Sequence, residues 1–200
     1  MNRAIGWIKA DPIGSEFADV ILSTDRLSAV GVAIGSDPVP YRLDYELETI
    51  AGFITSRLQV WSRGQGWSRR LDLRREPSGE WVLAVETDGT VGLPASGGDV
   101  AGLTGVLDCD LGLSPLTNTM PVLRHGLLSG GGPLNFTMAW VSVPDLSVRG
   151  SLQRYTFVRL EGAHSIVRYE SRDSQFSADL TVDADGIVLD YPGIGRALGS

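Results

Sequence analysis

In this chain of 200 residues, 24 acidic side chains outweigh 17 basic ones, a formal net charge of −7 that argues against nucleic acid as a partner. No run approaches the roughly 18 apolar residues of a transmembrane segment, and the single cysteine, Cys109, closes no intrachain disulfide. The length fits one domain, 1–200, that buries roughly 70% of its unfolded surface.

The N-terminus, MNRAIGWIKADPIG, has no apolar signal core, so the expected location is cytoplasmic. Residues 1–10 leave room for a short helix. From there on, period-two alternation dominates. Trp67, Leu71 and Leu73 share one face, against Ser68, Arg70, Asp72 and Arg74; Trp81, Leu83 and Val85 repeat the pattern. Leu134, Phe136, Met138 and Trp140 alternate again, as do Phe176, Ala178, Leu180 and Val182. Turn signals separate these runs: Pro77-Ser78-Gly79, Asp88-Gly89, Gly130-Gly131-Gly132-Pro133 and Asp185-Gly186. The tail after Pro192 leaves room for a second short helix. About ten to twelve strands result, against a usual sheet of about four to six, so the sheet must curl, close or split into two packed layers. The pattern alone leaves that choice open.

The densest group of chemistry-bearing residues lies in LDCDLGLSPLTNTMPVLR, residues 107–124. As a strand, 107–111 puts Asp108 and Asp110 on one face, Cα atoms about 6.5 Å apart, with Leu107, Cys109 and Leu111 on the other. Such a pair suits acid–base work or a hard cation, although nothing nearby completes a metal site; the plainer alternative is a solvent-facing row. Pro115 and Pro121 forbid an ordinary central strand between them, so Leu116–Met120 is expected as a loop or edge segment. Thr117 and Asn118 would either fix that irregular path or offer polar groups to a ligand at a rim.

Three arginines fall in phase with apolar positions: Arg69 with Trp67 and Leu71, Arg124 with Val122 and Leu128, and Arg154 with Leu152, Val158 and Leu160. A charge on an inward face needs a partner or water. Either these arginines line a wet interior, paired with Asp108 or Asp110, or their strands turn the other face inward. Asp183-Ala184-Asp185-Gly186 lacks the rest of a calcium loop and reads as a hairpin turn. His125 and His164 lack metal-ligand spacing, and no glycine-rich loop opens a helix; no cofactor is expected. Aromatic side chains with a polar tip, Trp140, Tyr155 and Tyr191 among them, suit sugar faces and acyl chains alike, though most aromatics are expected in the core.

Taken together, LDCDLGLSPLTNTMPVLR, AWVSVPDLSVRGSLQRYTFV and LTVDADGIVLDYPGI resemble the bacterial family labelled "putative glycolipid-binding", formerly a domain of unknown function. The resemblance runs from Trp7 to Gly193. It implies a fold similar to the periplasmic lipoprotein carriers: one long antiparallel sheet curved into an open or closed barrel around an apolar cavity, with little helix. It implies a lipid, glycolipid or other amphiphile as ligand, and it brings no catalytic residue. On that fold, Arg69, Asp108, Asp110, Thr117, Asn118, Arg124, Trp140, Arg154, Tyr155 and Tyr191 are the candidate binding residues. Two other readings stand beside it: a hydrolase using Asp108 and Asp110, and a partner-binding scaffold with a filled interior. The sequence leaves the oligomeric state open.

Overall fold

The structure, a computed structural model, describes residues 1–199. It is a single 14-stranded sheet, rolled up but not closed. The chain opens with seven strands joined by tight turns: β1 (Asn2–Ala10), β2 (Ile13–Leu22), β3 (Leu27–Gly35), β4 (Tyr41–Ile50), β5 (Ile54–Gly64), β6 (Trp67–Arg75) and β7 (Trp81–Gly89). An inserted segment follows, with strand β8 (Asp108–Leu111) and helix α1 (Thr119–Arg124). The chain then resumes with β9 (Leu134–Val141), β10 (Val148–Glu161), β11 (His164–Ser171), β12 (Ser177–Val182), β13 (Val188–Tyr191) and β14 (Gly195–Ala197). The spatial order is β7-β6-β5-β4-β3-β2-β1-β14-β13-β12-β11-β10-β9-β8. All neighbours are antiparallel except β8 and β9, which run parallel because the chain crosses over through α1 before β9.

The expected curled sheet is thus observed, and with more strands than the alternation alone reveals. Both expected terminal helices are strands. β1 alternates, but with inverted polarity: Lys9 points inward beside Ile5 and Trp7, while Ile8 faces solvent at 57% exposure. That inversion hides the period of two. The tail forms β14, which pairs with β1 through Trp7–Ala197 and joins the two ends of the chain into one sheet.

Residues 103–127 fill much of the roll. Leu103, Cys109, Leu111, Leu116 and Met120 pack against Trp7, Leu43, Tyr45, Leu58 and Leu71. Val122 and Leu127 pack against Met138, Tyr155, Val167 and Leu180 of the other half. Leu116 and Met120 are fully buried, and each such side chain contributes about 1.5–3 kcal/mol. The wide empty interior expected of a rolled sheet is therefore largely occupied by the chain itself.

The stretch between the prolines is helical, not a loop or edge. Pro115 (φ −66°) opens a 3₁₀ turn, Leu116–Asn118, that runs directly into α1. Pro121 is the third residue of α1, where the backbone N–H would have no intrahelical acceptor, so the ring costs no hydrogen bond. α1 ends in a Schellman cap. Gly126 (φ +64°) donates to Leu123 O at 3.2 Å, Leu127 N donates to Val122 O at 3.0 Å, and Leu127 and Val122 share one apolar cluster.

The two lateral edges of the sheet do not pair with each other. Closure comes from scattered bonds instead: Thr55 N of β5 donates to Leu107 O at 3.0 Å, Cys109 N donates to the Thr55 hydroxyl at 3.0 Å, and Gly97, beyond β7, donates to Leu146 O and accepts from Val148 N, both at 2.9 Å.

Candidate functional site

The inserted segment places three buried polar clusters inside the roll. Lys9, the only lysine, donates to Glu16 Oε2 (2.9 Å) and to Leu113 O (2.6 Å). Glu16 Oε1 accepts from Tyr45 (2.9 Å) and Ser114 (2.6 Å). Leu113 adopts a left-handed backbone (φ +64°), rare for a leucine, and this turn presents both its own carbonyl and the Ser114 hydroxyl to the pair. Every heavy atom of this ion pair has a partner, as buried charge requires.

In the second cluster Arg124 forms a two-pronged pair with Asp108. One bond is 2.8 Å, the other joins Nη2 to Oδ2, and Nη1 also reaches Phe53 O at 3.3 Å. Asp108 is 1% exposed; burial pushes its carboxyl up against the pull of Arg124. His125 is pushed down by burial and by the neighbouring Arg124.

The third cluster surrounds Asp110 and differs in kind. Its carboxylate accepts from the Thr117 hydroxyl (2.9 Å) and from Gln153 Nε2 (2.6 Å), and it has no ion-pair partner among the described residues. Burial raises its pKa, opposed by those two hydrogen bonds and reinforced by the charge of Asp108. Tyr155 donates to Asn118 Oδ1 at 2.8 Å, with Gln153 Oε1 3.2 Å away, and Asn118 in turn donates to Pro115 O at 3.2 Å. From Tyr155 a chain of rings runs outward: Tyr169 at 5.4 Å edge-on, then Tyr191 at 5.7 Å, with Phe176 at 6.2 Å from both. Burial first, and then the neighbouring charges of Tyr169 and Asp110, push the Tyr191 phenol far up.

Asp110 and these rings line a cleft of about 250 Å³ between the inserted segment and β9–β13. Its walls include Trp140, Tyr169, Phe176 and Tyr191, with Ser114, Asn118 and Ser151 among the polar groups. Arg149 stands at the wall with its guanidinium 4.5 Å from the Trp140 ring centre, and it also pairs with Asp173 at 3.3 Å.

Of the residues singled out in the sequence, Asp110, Asn118, Trp140 and Tyr191 come together at this cleft, with Thr117 and Tyr155 directly behind it. The others lie elsewhere. Asp108 and Arg124 satisfy each other against Phe53. Arg69 faces inward as its phase suggests, but it fastens loops by donating to Pro94 O (2.5 Å) and Asp145 O (2.6 Å). Arg154 lies on the outer face and contacts Asn135 (3.1 Å) and Glu170 (3.9 Å). Its apolar companions Leu152 and Leu160 are themselves exposed, so phase with leucine did not mean inward there. Asp108 and Asp110 share a strand but not a site: one is locked in an ion pair and the other opens on the cleft. Neither belongs to a solvent-facing row.

Sequence reasoning missed Tyr169, Phe176 and Arg149, and the whole Lys9–Glu16–Tyr45–Ser114 cluster. The cluster left one trace. Glu16 falls in phase with Ala18 and Val20 on the inner face of β2, where a carboxylate demands a cation, and only one lysine exists to supply the ammonium.

A family model described as "Putative glycolipid-binding" matches residues 4–197. The chain belongs to this family. A crystal structure of a DUF1089 family protein from Pseudomonas aeruginosa is similar to it, with 30% identity and a TM-score of 0.68 over 92% of each chain. No curated protein sequence matches. The family's name supports a binding role, and the likeness to that crystal structure supports the fold.

Proposed function

We propose that the protein binds an amphiphile by its polar head, held in the cleft over Asp110. The observation that carries this reading is the pairing of a deep carboxylate lacking a cation with a wall of four aromatic rings. An uncharged polyol such as a sugar suits both: hydroxyls donate to the carboxylate, and the C–H face of the ring packs on an aromatic side chain. An anionic head suits it less, because Asp110 repels it and Arg149 is already engaged by Trp140 and Asp173. Size points the same way. Typical small-molecule pockets span about 300–1,000 Å³, so 250 Å³ accommodates one ring-sized group and not a whole lipid.

The test is thermal unfolding with a panel of glycosides and phospholipids, together with mass spectrometry of organic extracts of the purified protein. A ligand at 100 times its Kd stabilises by about 2.7 kcal/mol, which in a domain of this size raises Tm by about 5–10 °C. Glycosides should produce the shift, and Trp140→Ala should abolish it. No shift with any member of the panel, and no extracted amphiphile, would refute the reading.

A further inference from the structure

The charges around the cleft cancel in pairs, with one exception. Arg149 at the wall pairs with Asp173, Asp108 on the same strand pairs with Arg124, and Glu16, which holds Ser114 from behind, pairs with Lys9. Among the described residues two further carboxylates are buried. Asp72 pairs with Arg57 and Arg74, and Asp145 is satisfied within its own turn by the Ser142 hydroxyl (2.7 Å) and Ser147 N (2.8 Å). Asp110 alone faces the cleft without a cation. A carboxylate offers about four acceptor sites, and Thr117 takes one on Oδ1 and Gln153 one on Oδ2. About half of its capacity is therefore free. Burial pushes a proton onto this group, and a cation brought against it would keep it ionised. The rings add to this demand. Tyr169, Phe176 and Tyr191 line the same space, and the face of an aromatic ring attracts a cation within about 6 Å of its centre. Arg149 already uses Trp140 in this way at 4.5 Å; no cation of the described residues stands over the other three rings.

Resting on the reading of the cleft given above, we infer that the head group it takes is an amino sugar, with a primary ammonium set against Asp110 and hydroxyls around it. An uncharged ring satisfies the hydrogen-bonding capacity of Asp110; an ammonium satisfies its charge as well. An amine in place of a hydroxyl adds almost no volume, so the fit to 250 Å³ is kept. A quaternary nitrogen would suit the rings but brings no N–H to the free acceptor sites of the carboxylate. A bare metal ion would find one carboxylate where it needs several ligands, and would leave the aromatic wall unused.

The experiment compares three ligands by calorimetry at about pH 6.5, below the range of an α-amino group: methyl glucoside, methyl glucosaminide and its N-acetyl counterpart, which keeps the nitrogen and loses the charge. In the wild type the glucosaminide should bind about tenfold or more tightly than either neutral ligand. Asp110→Asn keeps the shape of the side chain and removes its charge, and should bring that ratio to about one, with folding checked by circular dichroism. The wild-type comparison decides the matter even where the variant does not fold. Neutral glycosides that bind as well as the glucosaminide would overturn the ammonium and spare the cleft. A preference for the glucosaminide that survives Asp110→Asn would overturn the assignment to Asp110. Choline bound more tightly than the glucosaminide would also overturn it, since choline carries the charge without N–H donors. A series in which no ligand binds would overturn the cleft, and the ammonium with it.

Discussion

The two halves of the roll treat buried polar groups in opposite ways. On the β1–β7 side, Glu16 meets Lys9, Tyr45 and Ser114, and Asp108, where the insert meets β5, meets Arg124; each charge has an opposite charge within hydrogen-bond reach. On the β9–β13 side, Asp110 has only two neutral donors and opens on a cleft lined with rings. The first arrangement fastens the insert to the wall. The second leaves acceptor capacity unspent beside an open space, and unspent capacity of that kind is what a ligand can use.

The comparison breaks if the fastening clusters prove dispensable. Lys9→Met strands the Glu16 carboxylate, and Arg124→Met strands Asp108; each should lower stability by about 3–5 kcal/mol, read from urea unfolding. Lys9→Met/Glu16→Gln should recover part of the loss. Arg74→Met is the control: Asp72 keeps the two-pronged contact from Arg57, 2.8 and 2.9 Å, so the unfolding midpoint should stay near wild type. Equal stability for Arg124→Met and Arg74→Met would show that the Asp108 pair fastens nothing.

A smaller effect is expected from packing around the first cluster. Tyr45 reaches Glu16 by lying across Gly31 of β3, where a Cβ would sit 2.2 Å from the ring. Gly31→Ala must push the ring aside, at a cost of about 1–3 kcal/mol, and it should shift the fluorescence or NMR signals of Tyr45. An unchanged unfolding midpoint would mean that Tyr45 is not held by Glu16.

The smallest effect sharpens the contrast. Because the Asp110 pKa is raised in the folded state, the folded protein holds a proton that the unfolded chain has released, over the interval between the ordinary carboxylate value and the raised one. Wild-type stability therefore falls as pH climbs through that interval, and the loss is complete above it. Asp110→Asn carries no such proton. Its stability relative to wild type should improve as pH rises from about 4, near the ordinary value, towards neutrality, and change little at lower pH. The opposite slope would place a cation beside Asp110 that the geometry does not contain.

The strands were legible wherever their polarity was ordinary, as at Trp67–Leu73 and Ala178–Val182. β1 was not, because Lys9 inside and Ile8 outside reverse the usual code, and the inward ammonium is satisfied by Glu16 on the next strand and by Leu113 in the distant insert. α1 was hidden for a local reason. Two prolines six residues apart read as breakers, yet both fall at helix positions where an N–H is not needed. Asp110, Asn118, Trp140 and Tyr191 were found because rare residue types stood out from their strands. Tyr169, Phe176 and Arg149 were not, because aromatic and basic residues on an alternating strand look the same whether they face core, cleft or solvent. Only the position of the insert decides between them.

The clasp at Thr55 has a mechanical consequence. In a sealed barrel the number of strands and their stagger set the girth. Here scattered hydrogen bonds, from Thr55 to Leu107 and Cys109 and from Gly97 to the backbone of Leu146 and Val148, latch the seam, each worth about 0.5–1.5 kcal/mol, in place of a full interstrand ladder. The bulk of the plug threaded through the bore then dictates the calibre, and a change of volume at Leu116 or Met120 can loosen or tighten the whole cylinder without re-registering a single strand.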